Sequence, residues 1–153
     1  MQKLEKAIYL NANIIYSEAV SRVKNKKNTT LLRLKAHGYD LFSSVLVRME
    51  VIQNLRKHWN LSIDQSRYLY NSIIRELDIT ELLVNTVHLT ADFLDTIART
   101  RLSLKDAIHL ELAHNFQLKV CSHDIKMKAE SIYEDKKRYY DNIFKPEELM
   151  NQK

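Results

Sequence analysis

Hydrophobic positions along this chain alternate between short solid runs and longer periodic stripes. Ala7–Leu10 is a solid apolar run of strand character, closed by the polar Asn11-Ala12-Asn13. Ile14, Ile15, Ala19, Val20 and Val23 then recur at helical spacing, which predicts a helix leaving directly from the strand's end. A basic, polar loop over 24–30 follows, with Thr29 or Thr30 placed to cap a second helix through Leu31, Leu32, Leu34 and Lys35. Gly38, the only glycine, stands where that helix must end in a left-handed conformation, so tight turns elsewhere fall to Asn and Asp. Leu41–Ser44 reads as a second strand. Val45–Trp59 reads as a helix, with Leu46, Met49, Ile52 and Leu55 recurring every third residue.

Ser62 followed by Gln65 fits a capping box for the next helix, whose buried stripe is Leu69, Tyr70, Ile73, Ile74 and Leu77. Asp78–Val84 is ambiguous between helix extension and strand, and its Ile79 and Leu82-Leu83-Val84 suit a third strand. Leu89–Arg99 is expected to be helical. Ser103–Asp124 reads as helix, short turn and buried strand, with an acid at each end of the unit. Ile125 to about Lys137 is expected to be a polar helix, Ile143-Phe144 a short edge strand, and Pro146-Glu147-Glu148 the start of a terminal turn. Strands alternating with helices, without internal repeats, predict an α/β fold around a parallel sheet.

A chain of 153 residues, 45% of them hydrophobic and evenly spread, predicts one domain over 1–153 with a single core. No apolar run approaches the roughly 18 residues of a spanning helix, and the start MQKLEKAIYL lacks the pattern of an export signal. Cys121 is the only cysteine and lies in the apolar run LKVC, which implies a buried, inert thiol in a reducing cytoplasm. Lys and Arg total 24 against 19 Asp and Glu, a net charge of +5. That balance favours polyanionic partners such as RNA, or an acidic protein segment, and it also fits an ordinary basic surface. The cations fall into three groups: Arg22, Lys24, Lys26 and Lys27; Arg56 and Lys57; and Lys126, Lys128, Lys136, Lys137 and Arg138.

Polar residues recur where the predicted strands end. Asn11 follows the first strand, Glu50 lies about a turn into the helix after the second, Asp106 opens the helix from Ser103, and Asp124 follows the strand through Val120. Ligands of open parallel sheets bind in the crevice beyond the carboxyl ends of the strands, so these four remote positions are expected to converge there. Each also has a structural reading. Asp106 completes an S-x-x-D capping box with Ser103, Asp124 is a possible N-cap, and Asn11 and Asn13 suit a helix start. Glu50 either pairs with Arg48 or Arg56 or faces solvent, and His109, one turn after Asp106, reads as a packed or hydrogen-bonded histidine before a ligand. The tyrosines at 133, 139 and 140 read as packing before base stacking.

The segments YLNANIIY (9–16), SSVLVRMEVI (43–52), LSLKDAIHLELA (102–113) and CSHDIKMKAE (121–130), in this order, closely resemble the PIN domain. The likeness is greatest to the PIN ribonucleases that act as toxins in VapBC-type toxin–antitoxin modules. It covers nearly the whole chain, including the ending FKPEEL, with KDAIHLELA and SHD as its most specific pieces. The resemblance implies a three-layer α/β/α sandwich with a mainly parallel central sheet of four or five short strands. It further implies an acidic pocket holding one or two Mg²⁺ or Mn²⁺ ions, hydrolysis of RNA phosphodiesters, an antitoxin partner and a homodimer. By position the catalytic and metal-binding set is Asn11, Glu50, Asp106 and Asp124, supported by Asn13 and Ser122.

Carboxylates suit that chemistry. Mg²⁺ prefers hard oxygen ligands and retains several waters, and an empty cluster of acids repels itself until a cation relieves it. Asn11 is the departure, since the family carries an aspartate there. Its amide oxygen can ligate but brings no charge, which predicts weak metal binding and impaired turnover with the fold intact. The alternative is a catalytically degenerate PIN domain serving as an RNA-binding or protein-interaction module.

Overall fold

The computed structural model describes residues 6–151. Residues 1–5, which entered the reading of the amino terminus, lie outside them. The chain runs β1 (Ala7–Leu10), α1 (Ala12–Val23), α2 (Thr30–Ala36), β2 (Asp40–Ser44), α3 (Val45–Trp59), α4 (Ile63–Glu76), β3 (Thr80–Leu82) and α5 (Ala91–Ala98). It continues through α6 (Leu104–Asn115), β4 (Lys119–Cys121), α7 (Lys126–Glu130), β5 (Ile143–Phe144) and α8 (Pro146–Met150). The five strands form one parallel sheet in the order β3-β2-β1-β4-β5, within a three-layer α/β/α sandwich.

All four residues of β1 are buried, as a solid apolar run at the centre of a parallel sheet must be. Leu10 pairs with Cys121 of β4 and Tyr9 with Phe42 of β2, so the ends of β1, β2 and β4 are in register. Tyr9 points to the side of α6, where it meets His109, and the alternation of a strand therefore turns Ile8 and Leu10 to the opposite face. Helices α1, α3 and α4 pack against one another, and α6 lies beside β4. No helix among the described residues is long and apolar enough to cross a membrane.

Turn chemistry follows the sequence. Gly38 has φ +86, and Asn25, Asn28, Asn60, Asp78 and Asp135 take positive φ, joined by Gln117 and Glu134. Thr29, not Thr30, accepts the capping bond of α2, and Ser62 and Gln65 form the expected reciprocal box. The ambiguous 78–84 segment contains β3, three residues long.

Two expectations are corrected. The buried face of α3 is Val47, Val51 and Leu55, spaced by four, while Met49 is 45% exposed. A spacing of three drifts around a helix of 3.6 residues per turn, so the i, i+4 row is the one that stays on the core. The polar helix expected to reach about Lys137 stops at Glu130. Only Met127 of α7 is buried, and without an apolar stripe to dock, the next residues form a turn bridged between Tyr133 and Lys136.

Candidate active site at the carboxyl edge of the sheet

Strand order makes a place for a site before any side chain is considered. From β1 the chain connects to β2 on one side, while β4 pairs on the other, so the crevice beyond β1 and β4 is the switch point of the sheet. A cleft of about 190 Å³ opens there, lined by Asn11, Asn13, Asp106, Asp124, Lys126, Met127 and Glu130.

The first wall is the junction of β1 and α1. The backbone N–H of Asn11 continues the sheet by donating to the Cys121 carbonyl at 2.9 Å. Its side chain then caps α1, with Oδ1 accepting from the Ala12 N–H at 2.9 Å. This bond fixes the amide: Oδ1 faces the helix start, and Nδ2 donates to the Ser122 hydroxyl at 3.2 Å. Asn13 Nδ2 reaches the same hydroxyl at 2.9 Å, and its Oδ1 accepts from the His123 N–H at 3.1 Å. Ser122, fully buried, also accepts from the Asp124 N–H at 3.2 Å and donates to the Asp124 carbonyl at 2.7 Å. Three donors thus share two lone pairs on one oxygen, which ties the start of α1 to the end of β4.

The second wall carries the acids. Ser103 Oγ accepts from the Asp106 N–H at 3.1 Å, capping α6. Only that half of the expected box forms, and no hydrogen bond holds the Asp106 carboxylate among the described residues, which leaves it to the cleft. Asp124 Oδ1 accepts from the Lys126 N–H at 2.9 Å, so Asp124 steadies the start of α7 while lining the same cleft. Capping and cleft roles therefore coexist in Asp124, whereas the Asp106 side chain makes no capping bond among the described residues.

Glu50, expected to converge with these residues, is not among those that line the cleft. Its Oε1 lies 2.5 Å from His109 Nε2 and its Oε2 lies 3.4 Å from Lys105 Nζ, and neither Arg48 nor Arg56 pairs with it. Arg48 instead binds Glu81, with Nε 3.0 Å from Oε2. His109 Nδ1 is 2.5 Å from the Tyr9 hydroxyl, which is 2.8 Å from Ser44 Oγ. With Glu50 ionised, Nε2 carries the proton toward it, Nδ1 accepts from Tyr9, and Tyr9 accepts from Ser44. Burial raises the pKa of the Tyr9 phenol, the Ser44 bond opposes that, and the Glu50 charge adds to it, so Tyr9 stays neutral. His109 is thus the packed, hydrogen-bonded histidine that the sequence suggested.

Among the described residues, no three His, Cys, Asp or Glu side chains are gathered to hold an ion by themselves. The donor chemistry nevertheless suits Mg²⁺ or Mn²⁺. Such an ion keeps waters and takes oxygen ligands from one or two carboxylates plus substrate phosphate, and Asp106 and Asp124 supply two carboxylates on one cleft. The sequence reading missed Glu130, Met127 and Lys126 as cleft residues, which α7 contributes directly after Asp124. It also missed Tyr9 and Ser44 as partners of His109. A tyrosine inside a solid apolar run is a signal for that pairing, because a buried phenol needs a partner.

Fold and site together define a parallel α/β domain with an acidic cleft at its switch point. No family model matches the chain, and no curated protein matches it.

Proposed function

We propose that this chain is a metal-dependent endoribonuclease of PIN type, impaired as it stands. The observation that carries the reading is the convergence of Asn11, Asn13, Asp106 and Asp124 on one cleft at the carboxyl end of the sheet. A bound divalent cation supplies charge neutralisation at the scissile phosphate and an activated water. Asp106 and Asp124 are the carboxylates that would hold it, and Asn13 and Ser122 fix the backbone that carries Asp124. Lys126 brings a cation to the same cleft, suited to a phosphate oxygen. Glu50, tied to His109 and paired with Lys105, is not among the residues that line the cleft.

Asn11 accounts for the impairment. Its oxygen is engaged by the Ala12 N–H, and the atom turned toward Ser122 is an NH₂ donor, which cannot ligate a cation. An aspartate there would cap α1 with one oxygen and offer the other. Within this reading the protein works in the cytoplasm as the toxin of a toxin–antitoxin pair, and forms a homodimer. Exposed Leu83, Leu89, Leu94, Leu104 and Phe116 offer apolar surface for such chains. A second reading, a degenerate PIN domain that binds RNA or protein without cutting, draws support from the same Asn11 bonds and from the engagement of Glu50.

The test is Mn²⁺- or Mg²⁺-dependent cleavage of structured RNA by the chain and by Asn11→Asp, with metal binding followed by calorimetry. Metal uptake and strong cleavage by Asn11→Asp, against a low rate in the parent, are expected. An Asn11→Asp protein that folds but neither binds metal nor cuts RNA sinks the nuclease reading and leaves the binding module.

A further inference from the structure

A second groove lies near the cleft. It encloses about 730 Å³ between α5 and the 133–139 segment, with Phe93 and Thr96 on one side, Tyr133, Lys136 and Lys137 on the other, and His114 and Tyr139 below. It adjoins the acidic cleft through α7: Glu130 lines the cleft, and Tyr133, three residues on, lines the groove. The backbone between them is held, since the Arg101 N–H donates to the Glu130 carbonyl at 2.9 Å.

Its charge and its aromatic rings are interleaved. Lys136 Nζ stands 5.3 Å from the Tyr133 ring centre and Lys137 Nζ 5.0 Å from that of Tyr140. Lys128 Nζ stands 4.7 Å from the Tyr140 ring and donates to the Ile143 carbonyl at 3.3 Å, at the β5 edge. Among the described residues no carboxylate pairs with Lys128, Lys136 or Lys137, whereas Arg138 is neutralised by Glu111 at 2.8 Å. Asp92 is the one acid on the groove's lining. Tyr133 and Phe93 are half-buried, each leaving ring surface to the groove, while Tyr139 is buried and serves the core.

We propose that this groove seats a nucleotide of single-stranded RNA, with the base against Tyr133 and Phe93 and the adjoining phosphates at Lys136 and Lys137. The strand then runs past Glu130 and Lys126 of α7 into the cleft. The proposal rests on the nuclease reading for its direction and adds a binding subsite to it. Cation–aromatic interleaving is what a flexible strand requires, since every base has a face to stack and every phosphate needs a charge. A duplex hides its base faces and cannot use Phe93 or Tyr133.

Fluorescence anisotropy of a labelled 12-nucleotide single-stranded RNA, in EDTA, reads binding without cleavage. The parent chain is compared with Lys136→Ala/Lys137→Ala, Tyr133→Ala and Tyr133→Phe, each checked by circular dichroism. The double lysine variant is expected to weaken binding at least tenfold and to flatten the log–log salt slope by about 1.4, or about 0.7 per phosphate contact. Tyr133→Ala is expected to weaken binding about 5- to 150-fold, and Tyr133→Phe to bind as the parent does. Folded alanine variants that bind as the parent does overturn the proposal. So does a duplex of equal length binding as tightly, or poly-glutamate of matched charge competing as well as RNA. Groove variants that lose binding while Asn11→Asp fails to cut would leave this subsite standing and remove the nuclease reading. An Asn11→Asp protein whose cutting and binding ignore the groove substitutions would do the reverse.

Discussion

Replacing Tyr9 by Phe removes a single oxygen from the centre of the sheet, and the structure gives that oxygen two partners. Tyr9 is fully buried, its hydroxyl 2.8 Å from Ser44 Oγ and 2.5 Å from His109 Nδ1. Side-chain volume hardly changes, so packing alone predicts a near-neutral substitution. The polar accounting predicts otherwise. His109 is 1% exposed and loses the donor to Nδ1, while the Ser44 proton loses its acceptor. A buried group left unsatisfied costs about 1–3 kcal/mol. Ser44 retains a partial role, because its oxygen still accepts from the Val47 N–H. Together these give a destabilisation of roughly 2–4 kcal/mol, or a fall in Tm of roughly 5–15 °C for a domain of this size. Urea denaturation of Tyr9→Phe, His109→Leu and the double variant measures the loss and its coupling. In the His109→Leu background the acceptor is already gone, so the second change is expected to cost less than the first did alone. A Tyr9→Phe protein within about 0.5 kcal/mol of the parent refutes the chain of reasoning, as does strict additivity in the double variant.

Other consequences are simpler to check. Burial on its own raises the Glu111 carboxyl, but hydrogen bonds from Arg138 and Tyr139, with the charges of Arg138 and His114, bring it below its ordinary 4.5. A carboxyl depressed on folding stabilises fully above that value and loses its contribution as pH falls through the folded pKa. Glu111→Gln is therefore expected to flatten the loss of stability below about pH 4.5 seen in acid melts of the parent. Burial, with the Glu147 charge adding to it, pushes the Cys121 thiol up to about 12. At pH 8 a thiol reagent is expected to label Cys121 only after denaturant unfolds the chain, and labelling of the native protein would count against its burial. Gly38→Ala meets no atom within 4 Å but must hold φ +86, so its loss, read from urea midpoints, should be about 1–2 kcal/mol from backbone conformation alone.

Elements with strong local signals were legible in the sequence. The solid run at Ala7–Leu10, the box at Ser62 and Gln65, the stop at Gly38 and the bounds of Val45–Trp59 all rest on neighbouring residues, and the structure agrees with each. What failed depended on remote ones. The face of α3 is set by what it packs on, and a stripe counted by threes cannot reveal that. The end of α7 is set by the absence of a core for 132–138 to join. At the site, the meeting of Asn11, Asp106 and Asp124 was legible because strand ends of a parallel sheet share an edge. The partners of Glu50 were not, since pairing across 59 residues depends on where α6 lies against α3. The stem of Lys105 and the ring of His109 reach it only in three dimensions.

The two open edges of the sheet carry a different consequence. β3 offers three residues and β5 two, so neither presents a ladder long enough to recruit a strand from a second molecule. Lys119 and Lys128 stand over the Phe144 ring at the β5 edge and add charge that an incoming backbone must displace. A concentrated solution of this protein is therefore guarded against fibril-like growth at both ends of its sheet. Copies that do meet must do so through helical surface, where leucines lie open, and such contacts can close after two molecules.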